Sequence, residues 1–113
     1  MMSALLMALL SSPADAREAP HWWLVRDKVA IGTTAREPVA SPEAVCEGLS
    51  RTDTRTCNTL VEKSTALLAE DRKLAADLHG TGVVFSHGGL MLIGGTSQGY
   101  GDILINAEPP EFE

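Results

Sequence analysis

Between residues 56 and 80 the apolar positions recur with a helical period. Leu60, Leu67 and Leu74 fall seven apart, and Val61, Leu68, Ala75 and Leu78 widen the stripe. Glu62, Lys63, Glu70, Lys73 and Asp77 take the opposite side. The pattern predicts one long amphipathic helix with Leu67 in mid-stripe facing a sheet. Thr59 followed three residues later by Glu62 reads as a capping box at its entry, and His79 with Gly80 reads as its stop. Ser64 and Asp71 interrupt the stripe. They are read as edge positions or as groups bonded to a neighbour, Asp71 to an Arg, against the alternative that they line a cleft between helix and sheet.

Elsewhere the period shortens. His21-Trp22-Trp23-Leu24-Val25 and Val29-Ala30-Ile31 are β-prone segments, to be read as a hairpin or as one long strand. Adjacent tryptophans on a strand point to opposite faces, so one of Trp22 and Trp23 is expected in the core and the other nearer solvent, as a partner contact or beneath the following loop. Residues 33–39 show no period and contain Pro38, which marks a connector. Ser41-Pro42-Glu43 then opens a short helix with a narrow apolar edge at Val45 and Leu49. After Gly80 three continuous apolar runs follow, at residues 83–85, 90–93 and 103–105, separated by glycines. They predict three strands covered on both faces, with the first two joined by a hairpin through Gly88-Gly89. The expected fold class is α+β: a mainly antiparallel sheet of three to five strands packed on a helical hairpin that contains the long helix.

The first 16 residues form a separate unit. An apolar run over residues 4–10 precedes Ala14-Asp15-Ala16, the small-x-small pattern of a signal-peptidase site, although no Lys or Arg stands before Arg17. The run is too short to span a bilayer, so the mature chain is expected to have no membrane anchor. Residues 17–107 make one domain, and 108–113 an acidic, Pro-containing tail expected to be mobile. The whole chain carries a net charge of −6. Losing Asp15 with the leader leaves nine bases against fourteen acids, a charge of −5 that disfavours nucleic acid and favours a basic partner. Cys46 and Cys57, with ten residues between them, are an expected disulfide in an exported chain. Such a loop would add about 3 kcal/mol in the chain-entropy account. The three histidines are scattered, and the cysteine spacing fits no zinc pattern, so no metal or other cofactor is expected.

One stretch carries candidate chemistry. Gly95-Thr96-Ser97-Gln98-Gly99 resembles the G-x-S-x-G nucleophile elbow, and His87-Gly88-Gly89 resembles the oxyanion-loop motif, of α/β-hydrolases. The resemblance implies a serine hydrolase using Ser97 with His87. The chain departs from that family in having five residues between the two motifs, where the family has a helix and a strand, and no helical pattern after Ser97. Gly94 and Gly99 have P-loop spacing, but Tyr100 and Gly101 stand where Lys and Ser or Thr would be needed. The remaining reading of residues 94–101 is a flexible loop displaying Thr96, Ser97, Gln98 and Tyr100. The function expected from the sequence is therefore a small periplasmic or secreted binding or accessory protein, not an enzyme, that contacts a basic envelope protein through Trp22, Trp23, Gln98 and Tyr100.

Overall fold

A computed structural model describes residues 19–78 and 82–113. The leader and the helix stop at His79 and Gly80 lie outside them.

The fold is α+β, with a four-stranded antiparallel sheet in the order β2-β1-β4-β3. Strand β1 (His21–Arg26) turns through Asp27 and Lys28, both at positive φ, into β2 (Val29–Ala30), so the first β segment is a hairpin. Two left-handed residues match the twist that tight hairpins require, and Asp tolerates that conformation well. The connector then does more than link elements. It forms a 3-10 turn at Gly32–Ala35, in which the buried Thr34 hydroxyl donates to the Ile31 carbonyl (2.8 Å) and accepts from the Leu24 amide (3.0 Å). Val39 next exchanges both backbone hydrogen bonds with Trp22 (2.8 and 3.0 Å), extending the sheet edge beyond β2.

The segment opened by Ser41 is a second 3-10 turn, Pro42–Cys46, whose N-cap side chain makes no capping bond. Helix α1 runs over Arg51–Glu70. It starts earlier than the apolar stripe predicts because Ser50 is its cap: the Ser50 hydroxyl accepts from the Asp53 amide (3.1 Å). Thr59 and Glu62 are therefore inside the helix and form no capping box at its entry. Cys46 and Cys57 are joined, with Cα atoms 5.6 Å apart, which ties the second 3-10 turn to α1.

The predicted single helix is also divided. Asp71 is extended (φ −109°, ψ 103°), and its carboxylate accepts from the amides of Lys73 (2.9 Å) and Leu74 (3.2 Å), capping α2 (Arg72–Asp77). A short acid that can bond the backbone two and three residues ahead competes with helix continuation, and at Asp71 it wins. Ser64, by contrast, is fully buried and donates to the Leu60 carbonyl one turn back (2.7 Å). The stripe passes over it without interruption.

Strands β3 (Val83–His87) and β4 (Leu90–Gly95) form the expected hairpin, with Gly88 at φ 59° and Gly89 at φ 82° in its turn. The third apolar run differs from expectation. Residues 103–105 lie in helix α3 (Ser97–Asn106), capped by Thr96, whose hydroxyl accepts from the Gly99 amide (3.1 Å). Tyr100, Ile103 and Leu104 then fall at helical spacing on the sheet. The sheet is thus covered on both faces. Trp22, Leu24, Phe85, Leu90 and Leu92 pack under α1 and the 3-10 turns, while Trp23, Val25 and Ile93 pack under α3. Gly94 is needed where it stands: it pairs with Trp22, and a Cβ there would lie 2.5 Å from the indole ring.

Candidate functional site

The residues singled out from sequence do not gather into one site. Trp22 and Trp23 do point to opposite faces, but because helices cover both, they are only 5% and 6% exposed. Neither presents a ring to solvent, which corrects the expectation of an outward tryptophan. Tyr100 stacks on Trp23 with ring centroids 4.2 Å apart and planes 22° from parallel. Burial against that indole pushes the Tyr100 phenol above its ordinary range. Gln98 and Ser97 are exposed in the first turn of α3.

Ser97 does have the strand-then-helix setting of a nucleophile elbow, which the sequence reading denied it for want of a helical pattern. His87 is far from it. His87 pairs with Leu90 at the hairpin end of β4, and Ser97 follows Gly95 at the other end. Five residue steps along a strand are about 17 Å. The His87-Gly88-Gly89 segment is a hairpin turn rather than an oxyanion loop beside Ser97. His21, paired with Gly95, is the imidazole that the register brings to Ser97's end of the sheet.

Convergent polar groups instead meet at the outer edge of β3, around the chain's own last three residues. The tail pairs with β3: Ser86 and Glu111 form a parallel bridge, and the Phe112 amide donates to the Ser86 carbonyl (2.6 Å). The Phe112 carbonyl lies 2.9 Å from His87 Nδ1, which must be the protonated nitrogen because a carbonyl can only accept. The Gly89 amide donates to Glu111 Oε1 (3.0 Å), and Lys63 Nζ of α1 donates to the Glu113 carbonyl. Beneath these bonds the Phe112 ring packs parallel to Phe85, with centroids 5.8 Å apart and planes 11° from parallel.

The tail is therefore held in place, contrary to the expected mobility. Its composition gave no sign of this, since Pro109, Pro110 and three glutamates read as solvated chain. The one available signal was Phe112, a large apolar residue in an otherwise polar end.

A second polar tie links β1 to α1. Arg26 makes a two-pronged pair with Asp53 (2.6 and 3.1 Å), which holds the Asp53 carboxyl below its ordinary range and the guanidinium above its own. Among the described residues no cluster of three or more His, Cys, Asp or Glu forms a metal site, and no helix is long and apolar enough to cross a membrane. No family model, curated protein or solved structure matches the chain.

Proposed function

We propose that this protein is a small exported accessory protein of the cell envelope that works by binding. The observation that supports the reading best is the kind of site the fold assembles. The β3 edge gathers backbone and side-chain donors around a peptide segment, which is a recognition geometry, while Ser97 and His87 stand at opposite ends of β4. The buried Cys46–Cys57 bridge suits an oxidising compartment, and the Ala14-Asp15-Ala16 site suits export with a mature start at Arg17. In the mature chain an excess of five acids over bases speeds encounter with a basic partner, for which exposed Gln98 and the accessible rim of Tyr100 are contact residues.

Hydrolysis at Ser97 is the competing reading, and the strand-then-helix setting is what favours it. Two measurements on periplasmic material test the pair. Intact mass is expected to give a chain starting at Arg17 and lighter by two hydrogens for one disulfide, and an uncleaved chain or two free thiols counts against export. Activated esters are expected to show no turnover that depends on Ser97, so a burst abolished by Ser97→Ala would replace binding with hydrolysis.

A further inference from the structure

We infer that the protein self-associates weakly through the α3 side of its sheet, where the surface fits a second copy of the same chain. The inference goes beyond the binding reading above, and neither depends on the other. Three observations carry it.

First, this side is incompletely covered. Val84 and Met91 of the sheet, and Tyr100, Ile103 and Leu104 of α3, pack around Trp23, Val25 and Ile93 but stay only half-buried, and Ile105 of the same helix is 75% exposed. Single exposed aliphatics are ordinary, whereas these belong to one side of one cluster. Second, this side is almost uncharged. Asp102 is the only Asp, Glu, Lys or Arg in β2, β3, β4 and α3, and Arg26, the only one in β1, turns to Asp53 of α1. Two mature chains at −5 each repel one another, and they approach at least cost where neither presents charge. A membrane surface is the poorer fit, because a helix lying on anionic headgroups needs Lys or Arg and α3 has neither.

Third, the surface complements itself. An open groove of about 430 Å³, lined by Asp102, Ile103, Asn106 and Ala107, borders the turns of α3 that carry the projecting Ile105. A two-fold interface needs a projection and a recess on the same patch, so that each copy fills the other. Here each Ile105 enters the other copy's groove, where the Asn106 amide is available to donate to the Asp102 carboxylate. The one acid on this side is then not left without a hydrogen-bond donor. Gln98, in the first turn of α3, stays outside the contact.

The contact is small, since a 10-residue helix is about 15 Å long. An interface below about 1,200 Å² belongs with weak, transient contacts, and a Kd of about 0.1 to 1 mM is expected. Salt should tighten it by screening the repulsion between the two chains, whereas salt weakens attraction to a basic partner.

Sedimentation equilibrium of the purified protein from micromolar to millimolar concentration tests the inference. A monomer–dimer equilibrium that tightens in high salt is expected. Ile105→Glu should weaken it by at least about tenfold, the size of effect that a central interface residue shows. Val29→Glu is the control: Val29 is the other large apolar side chain in the open, at 62%, but it pairs with Arg26 on β2 and should leave the equilibrium unchanged. Asn106→Asp puts a second acid beside Asp102, so it should weaken the dimer in low salt and regain most of the loss in high salt. This exposed substitution carries the test if circular dichroism shows that Ile105→Glu does not fold. A monomer at every concentration, a dimer indifferent to both α3 substitutions, or one weakened equally by Val29→Glu overturns the inference. Each of those results leaves export and binding to a basic partner untouched, because neither uses this contact.

Discussion

On one face of the sheet Leu24, Leu90 and Leu92 are fully buried beneath the 20-residue α1 and the Cys46–Cys57 bridge. On the other, the 10-residue α3 lays Tyr100, Ile103 and Leu104, all only half-buried, over Trp23, Val25 and Ile93. The strands are the same, so the difference lies in what covers them. The first face has a long helix, a covalent tie and the Arg26–Asp53 pair. The second has one stacked aromatic pair and a helix whose Ile105 is 75% exposed. A sheet covered unevenly is expected to open unevenly, with the α3 side exchanging its amides before the α1 side.

The largest expected effect tests the stronger face directly. Leu60→Ala removes a fully buried residue of α1 and should cost about 2 to 5 kcal/mol, read from the urea midpoint. Leu104→Ala, on the half-covered face, should cost clearly less. Equal losses would break the comparison. Removing the bridge by Cys46→Ala with Cys57→Ala should come next, at about 3 kcal/mol, because it releases the constraint on the unfolded loop. Its effect on amide exchange should fall on α1 and the second 3-10 turn and leave α3 unchanged. Equal deprotection of α3 would mean that the two faces unfold as one unit.

The strong face was also the more legible one. Leu60 and Val61 follow from the helical period, β1, β3 and β4 follow from short apolar, β-prone runs bounded by turn residues, and the cysteine pair follows from number and spacing. What misled was local polar chemistry. Ser50 starts α1 and Asp71 divides it through side-chain bonds to nearby amides, so the deeply buried centre sits at Leu60, while Leu67 is only partly buried. On the weaker face the same kind of signal was missed outright. Ile103-Leu104-Ile105 has strand propensity, but the Thr96 cap and the spacing of Tyr100, Ile103 and Leu104 make it helical. Of the candidate site, His87 stands at the far end of β4 from Ser97 and holds the tail, while Tyr100 stacks on Trp23 and keeps a partly exposed ring. The β3 edge could not be read from the chain because Lys63, His87 and Phe112 are brought together only by tertiary packing.

Tyr100→Ala sharpens the comparison from the weak side. Losing the stack on Trp23 and a half-covered ring should cost about 1 to 2 kcal/mol. Trp23 should then respond to water, so the emission maximum should shift red and an aqueous quencher should reach one indole and not the other. Unchanged quenching would show that α3 is held to the sheet by Ile103 and Leu104 without help from the aromatic pair.

The smallest expected effect concerns the Arg26–Asp53 tie on the strong face, and its sign can be worked out. The guanidinium lowers the Asp53 carboxyl in the folded state, so the folded chain holds this proton less tightly than the unfolded chain does. The stabilisation is therefore present above the ordinary carboxylate pKa of about 4 and is lost as pH falls through the lower folded value. The raised guanidinium stays charged throughout and adds no slope of its own. Both side chains are partly exposed, at 40% and 24%, so solvent screens the pair and the effect should be small and should shrink in high salt. Asp53→Asn keeps the shape and the backbone amide that Ser50 caps while removing the charge. The urea midpoints of wild type and Asp53→Asn should differ slightly at pH 7 in low salt and converge near pH 2, with the wild type the more stable wherever they differ. A gap that persists at pH 2, or that ignores salt at pH 7, would mean that Asp53 acts through hydrogen-bond geometry rather than charge, and the strong face would then owe its advantage to packing and the disulfide alone.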